Sequence, residues 1–332
     1  MVTNTSGTGS HGMTLDFLEI ESEFLRDNPW GDPYTRKVIV IRPPRAEGIP
    51  VVLYLSGYFS TPLAQLNVDP LSENLMERMD RLLMEGKVKG LAIALPDTFT
   101  KVGGNQYLDS EAVGFYESFL VKEVVPILME KYSTTVMGVM GKSSGGYGAL
   151  SLGTKYDFSA IASHSADAYF EYAYLPIFPK VIPYLRRVSS AKEWVSYFWS
   201  QKDKKRRELM EALMIVGMAA FYSPGTKGDI ELPFDLATGE IRDEVWAKWL
   251  EKDPVRFLAK RRDNMFKKGI YIDVGNNDEF SVQYGNRIIH MLLNKMGVKH
   301  VFEEFQGRHI NTSFRYDLSI VFLDSFLHSL NA

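Results

Sequence analysis

One stretch, Thr134 to Leu150 (TTVMGVMGKSSGGYGAL), constrains the fold more than any other. Val136, Met137, Val139 and Met140 form a short apolar run, the pattern of a buried strand. Gly141-Lys142-Ser143-Ser144-Gly145-Gly146 follows, and Tyr147 to Leu152 has a helix-compatible composition. Strand, G-x-S-x-G and helix together make the sharp turn that lifts a nucleophilic serine above a sheet. Such a turn needs small residues two before and two after the serine, so that strand and helix can approach without Cβ clashes. Ser143 has Gly141 and Gly145 at those places, whereas Ser144 has Lys142 and Gly146, so Ser143 is the candidate nucleophile. Gly141-Lys142-Ser143 also ends like a phosphate-binding loop, G-x-x-x-x-G-K-[ST]. That motif needs glycine at position 136, which is Val136, and Gly138 stands too close to leave a loop that can wrap a phosphate.

The serine turn needs partners, and composition limits where they come from. The 332 residues suffice for one large α/β domain with an insertion or for two small domains. With 45% hydrophobic and 24% charged residues, the chain has an ordinary globular balance. A net charge of −3 gives no basis for a nucleic-acid partner. No apolar run reaches the length of a membrane span. Zero cysteines rule out disulfides, thiolate metal sites and a cysteine nucleophile, and fit a reducing cytoplasm. No cofactor and no metal is expected.

Taken in order, Met1 to Gly12 is polar and glycine-rich, read as a disordered tail or an expression scar with Met13 as the natural start. Residues 13–167 form the first part of the core. Thr14–Leu25 and Arg36–Arg42 read as two strands at the sheet edge. Ile49–Ser56 reads as an internal strand. Leu71–Gly86 reads as an amphipathic helix with Leu71, Leu75, Met76, Met79, Leu82 and Leu83 on one face. Gly90–Leu95 is a buried strand, Glu111–Tyr132 a long helix and Phe158–Ser163 the strand after the serine turn. Strands alternating with helices predict a mostly parallel, doubly wound α/β sheet.

Residues 168–262 break the alternation and read as a cap inserted over the carboxyl edge of the sheet. Tyr169, Phe170, Tyr172, Tyr174, Phe178, Tyr184 and Trp194 crowd its first part. Lys202–Met214 reads as a charged helix and Ile230–Ile241 as a hairpin. Tyr169, Phe170 and Tyr174 are the candidate substrate-binding residues, and an aromatic-rich cap points to an aromatic or bulky apolar acyl group. Residues 263–332 resume the core: strand Gly269–Val274, helix Gln283–Met296, strand Lys299–Phe305 and a closing helix Ser313–Leu330, apolar at Phe314, Leu318, Val321, Phe322 and Phe326.

Reactive groups in an open parallel sheet collect at the carboxyl ends of its strands. Ser143, Asp278 and His309 each follow a predicted strand, in the chain order Ser, Asp, His. His309 is the candidate general base. His164, which also follows a strand, is its rival; His11 lies in the tail, and His290, His300 and His328 are placed for structural roles. Asp278 is the candidate orienting acid, with helix capping as its alternative role and Asp167 as its rival. Glu279 points elsewhere or caps the next helix. The Ser144 N–H, at a helix N-terminus just after the nucleophile, is a candidate oxyanion donor.

Gly141-Lys142-Ser143-Ser144-Gly145-Gly146-Tyr147-Gly148-Ala149-Leu150, Asp278 in GNNDEF and His309 after the last strand resemble the esterase D and enterochelin-esterase-like branch of the α/β-hydrolases, which includes feruloyl esterases. The resemblance covers about residues 35–167 and 265–330. The branch often carries histidine before the nucleophile, where this chain has Lys142, and G-G-H where it has Gly307-Arg308-His309. The resemblance implies an α/β-hydrolase fold, the Tyr58 N–H as second oxyanion donor, and hydrolysis of a small-molecule carboxylic ester through an acyl-enzyme. An acyltransferase, or a binding protein on a hydrolase scaffold, remains open on sequence alone.

Overall fold

The computed structural model describes residues 4–8, 12–225 and 229–330. A nine-stranded sheet runs in the order β1-β2-β3-β5-β4-β8-β9-β10-β11. Its antiparallel end holds β1 (Asn4–Thr8), β2 (Thr14–Glu21) and β3 (Thr35–Arg42). The rest is β4 (Val51–Leu55), β5 (Ala92–Pro96), β8 (Met137–Lys142), β9 (Ala160–His164), β10 (Gly269–Gly275) and β11 (Val301–Phe305). These six pair in parallel, and β3 joins them antiparallel to β5. A two-residue ribbon, β6 (Asp109–Ser110) with β7 (Gly114–Phe115), lies apart. The expected mostly parallel α/β sheet is therefore present. Of the expected tail, residues 1–3 and 9–11 lie outside the described residues, while 4–8 pair with β2 as a further edge strand.

The parallel strands are apolar on both faces because helices cover both. Val51, Leu53, Leu55, Val139, Ile270 and Ile272 face one core with α4 (Ser144–Lys155); Val52, Tyr54, Met140 and Tyr271 face the other with α1 (Leu75–Met84) and α12 (Tyr316–Ser329). Side chains alternate along a strand, so each residue's parity fixes its core. The β11 edge is instead partly exposed. Glu304 pairs there with Arg287, and Glu303 with Arg315, charges that block further strand pairing.

Several helices differ in extent from the sequence reading. α1 begins at Leu75, because Asn74 and Glu77 form a reciprocal capping box (Glu77 N to Asn74 Oδ1, 3.0 Å; Asn74 N to Glu77 Oε2, 2.9 Å). Leu71 lies outside it and is exposed. The helix expected from Glu111 starts at Tyr116 as α2 (Tyr116–Phe119) and passes through a π turn (Leu120–Val124) into α3 (Val125–Lys131). The wide turn sits just ahead of Pro126, whose ring and missing N–H a regular helix accommodates poorly. α12 buries Tyr316, Ile320, Leu323 and Leu327; of the expected stripe, Val321, Phe322 and Phe326 are partly buried against the same core, and Phe314 and Leu318 are exposed. A 3-10 turn at Ser313–Arg315 precedes it.

Between β9 and β10 lie only helices and loops among the described residues: α5 (Phe170–Ala173), α6 (Phe178–Leu185), α7 (Ala191–Ser200), α8 (Arg207–Tyr222), α9 (Asp243–Glu251) and α10 (Pro254–Phe257). The basic run at 202–206 precedes α8 instead of belonging to it. The expected hairpin is reduced to single bridges, Pro224 to Ile230 and Phe234 to Ile241. This segment has no separate core: Phe170, Tyr174, Tyr222 and Trp249 pack with Tyr147 of α4 in the same cluster as the sheet. α11 (Val282–Met296) packs on β10 and completes that layer.

Candidate active site

Ser143 sits on the turn between β8 and α4 with φ 58° and ψ −123°. This is a strained conformation for a residue with a Cβ, of the kind that costs roughly 1–3 kcal/mol and persists where the surroundings dictate it. The surroundings here leave no space for side chains beside it. A Cβ on Gly145 would overlap the Leu55 carbonyl, one on Gly141 would overlap the Gly145 backbone, and one on Gly146 would stand 2.7 Å from the His164 carbonyl. The Ser143 N–H donates to that same carbonyl at 2.9 Å. The glycine pattern is thus a packing requirement of the turn.

The β10–α11 and β11–α12 loops are laced together. Asn276 N donates to the Phe305 carbonyl (2.9 Å) and Asn277 N to the Gly307 carbonyl (3.0 Å). A Cβ on Gly275 would stand 2.6 Å from the Gly307 carbonyl, so only glycine permits that approach. The lacing sets Asp278 Oδ2 2.6 Å from His309 Nδ1, with both residues buried. Asp278 Oδ1 accepts from Phe280 N at 2.9 Å, and the Phe280 ring lies edge-on to the imidazole with centroids 4.7 Å apart. Glu279 neither points away nor caps α11: its Oε2 accepts the His309 N–H at 2.6 Å and its Oε1 pairs with Arg308 at 2.6 Å.

Ser143 and His309 line one cavity of about 660 Å³ with Tyr58, Ser144, Asp167 and Tyr174. Ser143 Oγ is turned towards Asp167 Oδ1, 3.4 Å away. The rival acid is therefore beside the nucleophile but not on His309. Asp167 Oδ2 accepts from Ser144 Oγ and Tyr174 OH, each at 3.1 Å, and Gln106 Nε2 donates to Ser144 Oγ at 2.7 Å. Burial pushes the Asp167 carboxyl above its usual range, opposed by the charge of His309 and by hydrogen bonds from Tyr174 and Ser144. Nothing in the local sequence marks Gln106 as part of this network.

The Ser144 N–H opens α4 and has no intrahelical acceptor. The Tyr58 N–H donates to no acceptor among the described residues. A Cβ on Gly57 would stand 3.6 Å from Ser143 Cβ, so the loop after β4 runs directly beside the serine. The Tyr58 hydroxyl donates to the Val102 carbonyl at 2.7 Å, and a Cβ on Gly217 of α8 would collide with that hydroxyl. Helix α8 therefore helps to hold Tyr58.

Of the three residues expected to contact substrate, Tyr174 lines the cavity. Phe170 is fully buried between Tyr174 (4.8 Å) and Tyr222 (5.1 Å). Tyr169 stacks edge-on against Tyr172 and gives its N–H to Asp253 (3.0 Å). Neither belongs to the cavity wall.

A second Ser-His-Asp constellation lies on the opposite face of the sheet. His164 Nδ1 is 2.7 Å from Asp273 Oδ1, and His164 Nε2 is 2.9 Å from Ser319 Oγ. All three are buried under α12, and Ser319 has no exposed surface. Strand parity puts His164 with Ala160 and Ala162, and Asp273 with Tyr271, in the α12 core. Arg315 and Tyr271 also bind Asp273. The burial and burden of partners make this a structural knot, closed to any substrate.

Among the described residues no group of His, Cys, Asp and Glu could hold a metal ion, and no helix is long and apolar enough to cross a membrane. No curated protein matches the chain. It is similar to a solved ferulic acid esterase (17% identity, 96% of this chain and 100% of that one, TM-score 0.61). It is also similar to an S-formylglutathione hydrolase from Agrobacterium tumefaciens (16%, 98% and 96%, TM-score 0.57). A third likeness is to a fluorophosphonate-binding serine hydrolase of Staphylococcus aureus (15%, 94% and 97%, TM-score 0.54). At such identities the likenesses establish the α/β-hydrolase fold. The Esterase family model matches residues 34–324, which hold every strand of the sheet from β3 onward and everything around the cavity. The chain thus belongs to the Esterase family and is a carboxylesterase-type serine hydrolase that acts on small esters.

Proposed function

We propose that Ser143 is the nucleophile, His309 the general base and Asp278 the acid that orients it. The observation that carries this reading is the 2.6 Å contact from Asp278 Oδ2 to His309 Nδ1 in the cavity that Ser143 lines. In this reading the ring proton sits on Nδ1, towards Asp278, and Nε2 is the acceptor. Attack requires Ser143 Oγ to turn from Asp167 to His309 Nε2, which takes its proton as Oγ bonds to the ester carbonyl. The carbonyl oxygen becomes an oxyanion between the N–H groups of Tyr58 and Ser144, each such donor being worth about 3 kcal/mol. His309 then protonates the leaving alcohol. Water, deprotonated by His309, releases the acid from Ser143.

The cap, residues 168–262, supplies the acyl pocket in this reading, with Tyr174, Met210 and Met214 as its wall. An aromatic or bulky apolar acyl group fits that lining, in keeping with the esterase D and feruloyl-esterase-like branch. The absence of cysteine suits work in the reducing cytoplasm.

Hydrolysis of a chromogenic ester series, from acetyl to aryl, by wild type and Ser143→Ala tests the assignment. Loss of the nucleophile should lower kcat by roughly 10⁴–10⁶-fold. A fluorophosphonate should add its mass to the Ser143 peptide of the wild type alone. Equal turnover by the two proteins would remove Ser143 from the chemistry.

A further inference from the structure

The cavity beside Ser143 contains a cation without a counter-ion. Lys142 is the last residue of β8, shares the parity of Met140, and so leaves the strand on the α12 side. It lines the cavity there together with Tyr54 and Tyr316. Three carboxylates act on it, Asp278, Asp273 and Glu279, but each is held by something else. Asp278 is bound to His309, Asp273 to His164 and Arg315, and Glu279 to Arg308 and the His309 N–H. Among the described residues Lys142 Nζ has no hydrogen bond and no ion pair. Burial lowers its pKa to about 8, a shift those three carboxylates oppose. A partly buried cation left without a partner costs stability unless something arrives to pair with it.

The two sides of the cavity differ. Towards the cap, its wall is Tyr174, Met210 and Met214, with Lys205 and the Arg207–Glu211 pair (2.7 Å) on the same side. Towards α12 it is polar: Tyr54 OH donates to Gln65 Oε1 at 2.9 Å, and Gln65 Nε2 to Ser60 Oγ at 3.1 Å, leaving Lys142 as the cation of that side. Lys142 and Ser143 are consecutive, with Cα atoms about 3.8 Å apart. Both residues line the same cavity, so a charge held at Lys142 shares the space in which the ester reacts.

We infer that Lys142 recognises a carboxylate on the alcohol portion of the substrate, so that the enzyme selects esters of hydroxy acids, with the acyl group under the cap and the anionic leaving group on the α12 side. The inference rests on Ser143 as nucleophile. It assigns a task to the residue between Gly141 and Ser143.

The test compares 4-acetoxybenzoate with its neutral isostere 4-acetoxybenzamide, each rate normalised to that ester's own hydroxide-catalysed hydrolysis. Wild type should favour the anion in kcat/KM by about tenfold or more, as expected for a charge-assisted contact. Lys142→Gln should bring the ratio to about one, and Lys142→Arg should retain the preference, with folding of both variants followed by thermal unfolding. Ser143→Ala, run beside them, separates the two readings. If it abolishes hydrolysis of both esters while wild type shows no preference, or while Lys142→Gln keeps the preference, charge recognition by Lys142 is overturned and the nucleophile stands. If Ser143→Ala hydrolyses both esters like wild type, both readings fall.

Discussion

Asp278 Oδ2 and His309 Nδ1, 31 residues apart in the chain, meet at 2.6 Å in a buried contact between two laced loops. Asp167, the other acid at the cavity, touches Ser143, Ser144 and Tyr174 and does not touch the imidazole. The two carboxyls should therefore respond differently to the same substitution. Asp278→Asn removes the acceptor that fixes the His309 tautomer, and kcat should fall by about 10³–10⁴-fold. Asp167→Asn keeps the shape and the hydroxyl contacts, and its loss should stay within about tenfold, because Asp167 acts on the imidazole only through space and makes no hydrogen bond to it. Steady-state kinetics on one neutral ester decides the matter. A larger loss at Asp167 than at Asp278 would transfer the orienting role.

The turn that carries Ser143 is specified by contact rather than by backbone angle at its glycines. A methyl group on Gly145 collides with the Leu55 carbonyl, which belongs to a central strand and has no room to withdraw. Gly145→Ala should cost about 1–3 kcal/mol or more, together with turnover, because β4 and α4 must separate. Gly297, at φ 73° with open space around it, is the control. Gly297→Ala should cost about 1 kcal/mol in strain and leave turnover unchanged. Urea midpoints of the two variants, measured with their activities, check both halves.

The parts of the site legible in the sequence were those set by local geometry and strand order. Ser143 declares itself because its turn admits only glycine at Gly141 and Gly145. Asp278 and His309 declare themselves because both follow strands whose carboxyl ends share one edge of the sheet. The Asp167 network was not legible, since Gln106, Ser144, Asp167 and Tyr174 come from four separate segments that only packing brings together. Phe170 and Tyr174 look equivalent four residues apart and pack on each other in the same buried cluster, yet only Tyr174 also reaches the cavity. In α12 both Ile320, Leu323 and Leu327 and the adjoining Val321, Phe322 and Phe326 are apolar, so periodicity alone does not say which set lies deepest.

The buried trio of His164, Asp273 and Ser319 has the residue types of a catalytic triad and none of its access. Ser319→Ala should leave turnover within about twofold and cost about 1–3 kcal/mol, since His164 Nε2 loses its buried partner. Thermal unfolding and ester hydrolysis on one preparation test this. An inactive Ser319→Ala that unfolds like wild type would make Ser319 a reacting group.

The charge on Lys142 also gives the proposed selectivity a pH dependence with a defined sign. Burial lowers the ammonium pKa to about 8, so the cation is present below that value and lost above it. The carboxylates that act on it are Asp278 and Glu279 on the β10–α11 loop and Asp273 on β10; His309 on the β11–α12 loop and Lys205, Arg207 and Glu211 of the cap line the same cavity. His164 lies opposite it on β9. Tyr54 and Tyr316, on β4 and α12, are raised by burial and stay neutral through this range. Steps common to the two esters cancel in their ratio. The preference for 4-acetoxybenzoate over 4-acetoxybenzamide should accordingly be full near neutrality and fall as pH rises through about 8. Lys142→Arg, whose guanidinium stays charged, should hold the ratio level over the same range. A wild-type ratio that stays constant to pH values well above 8, or an arginine variant that loses it in parallel, would show that the discrimination comes from another group.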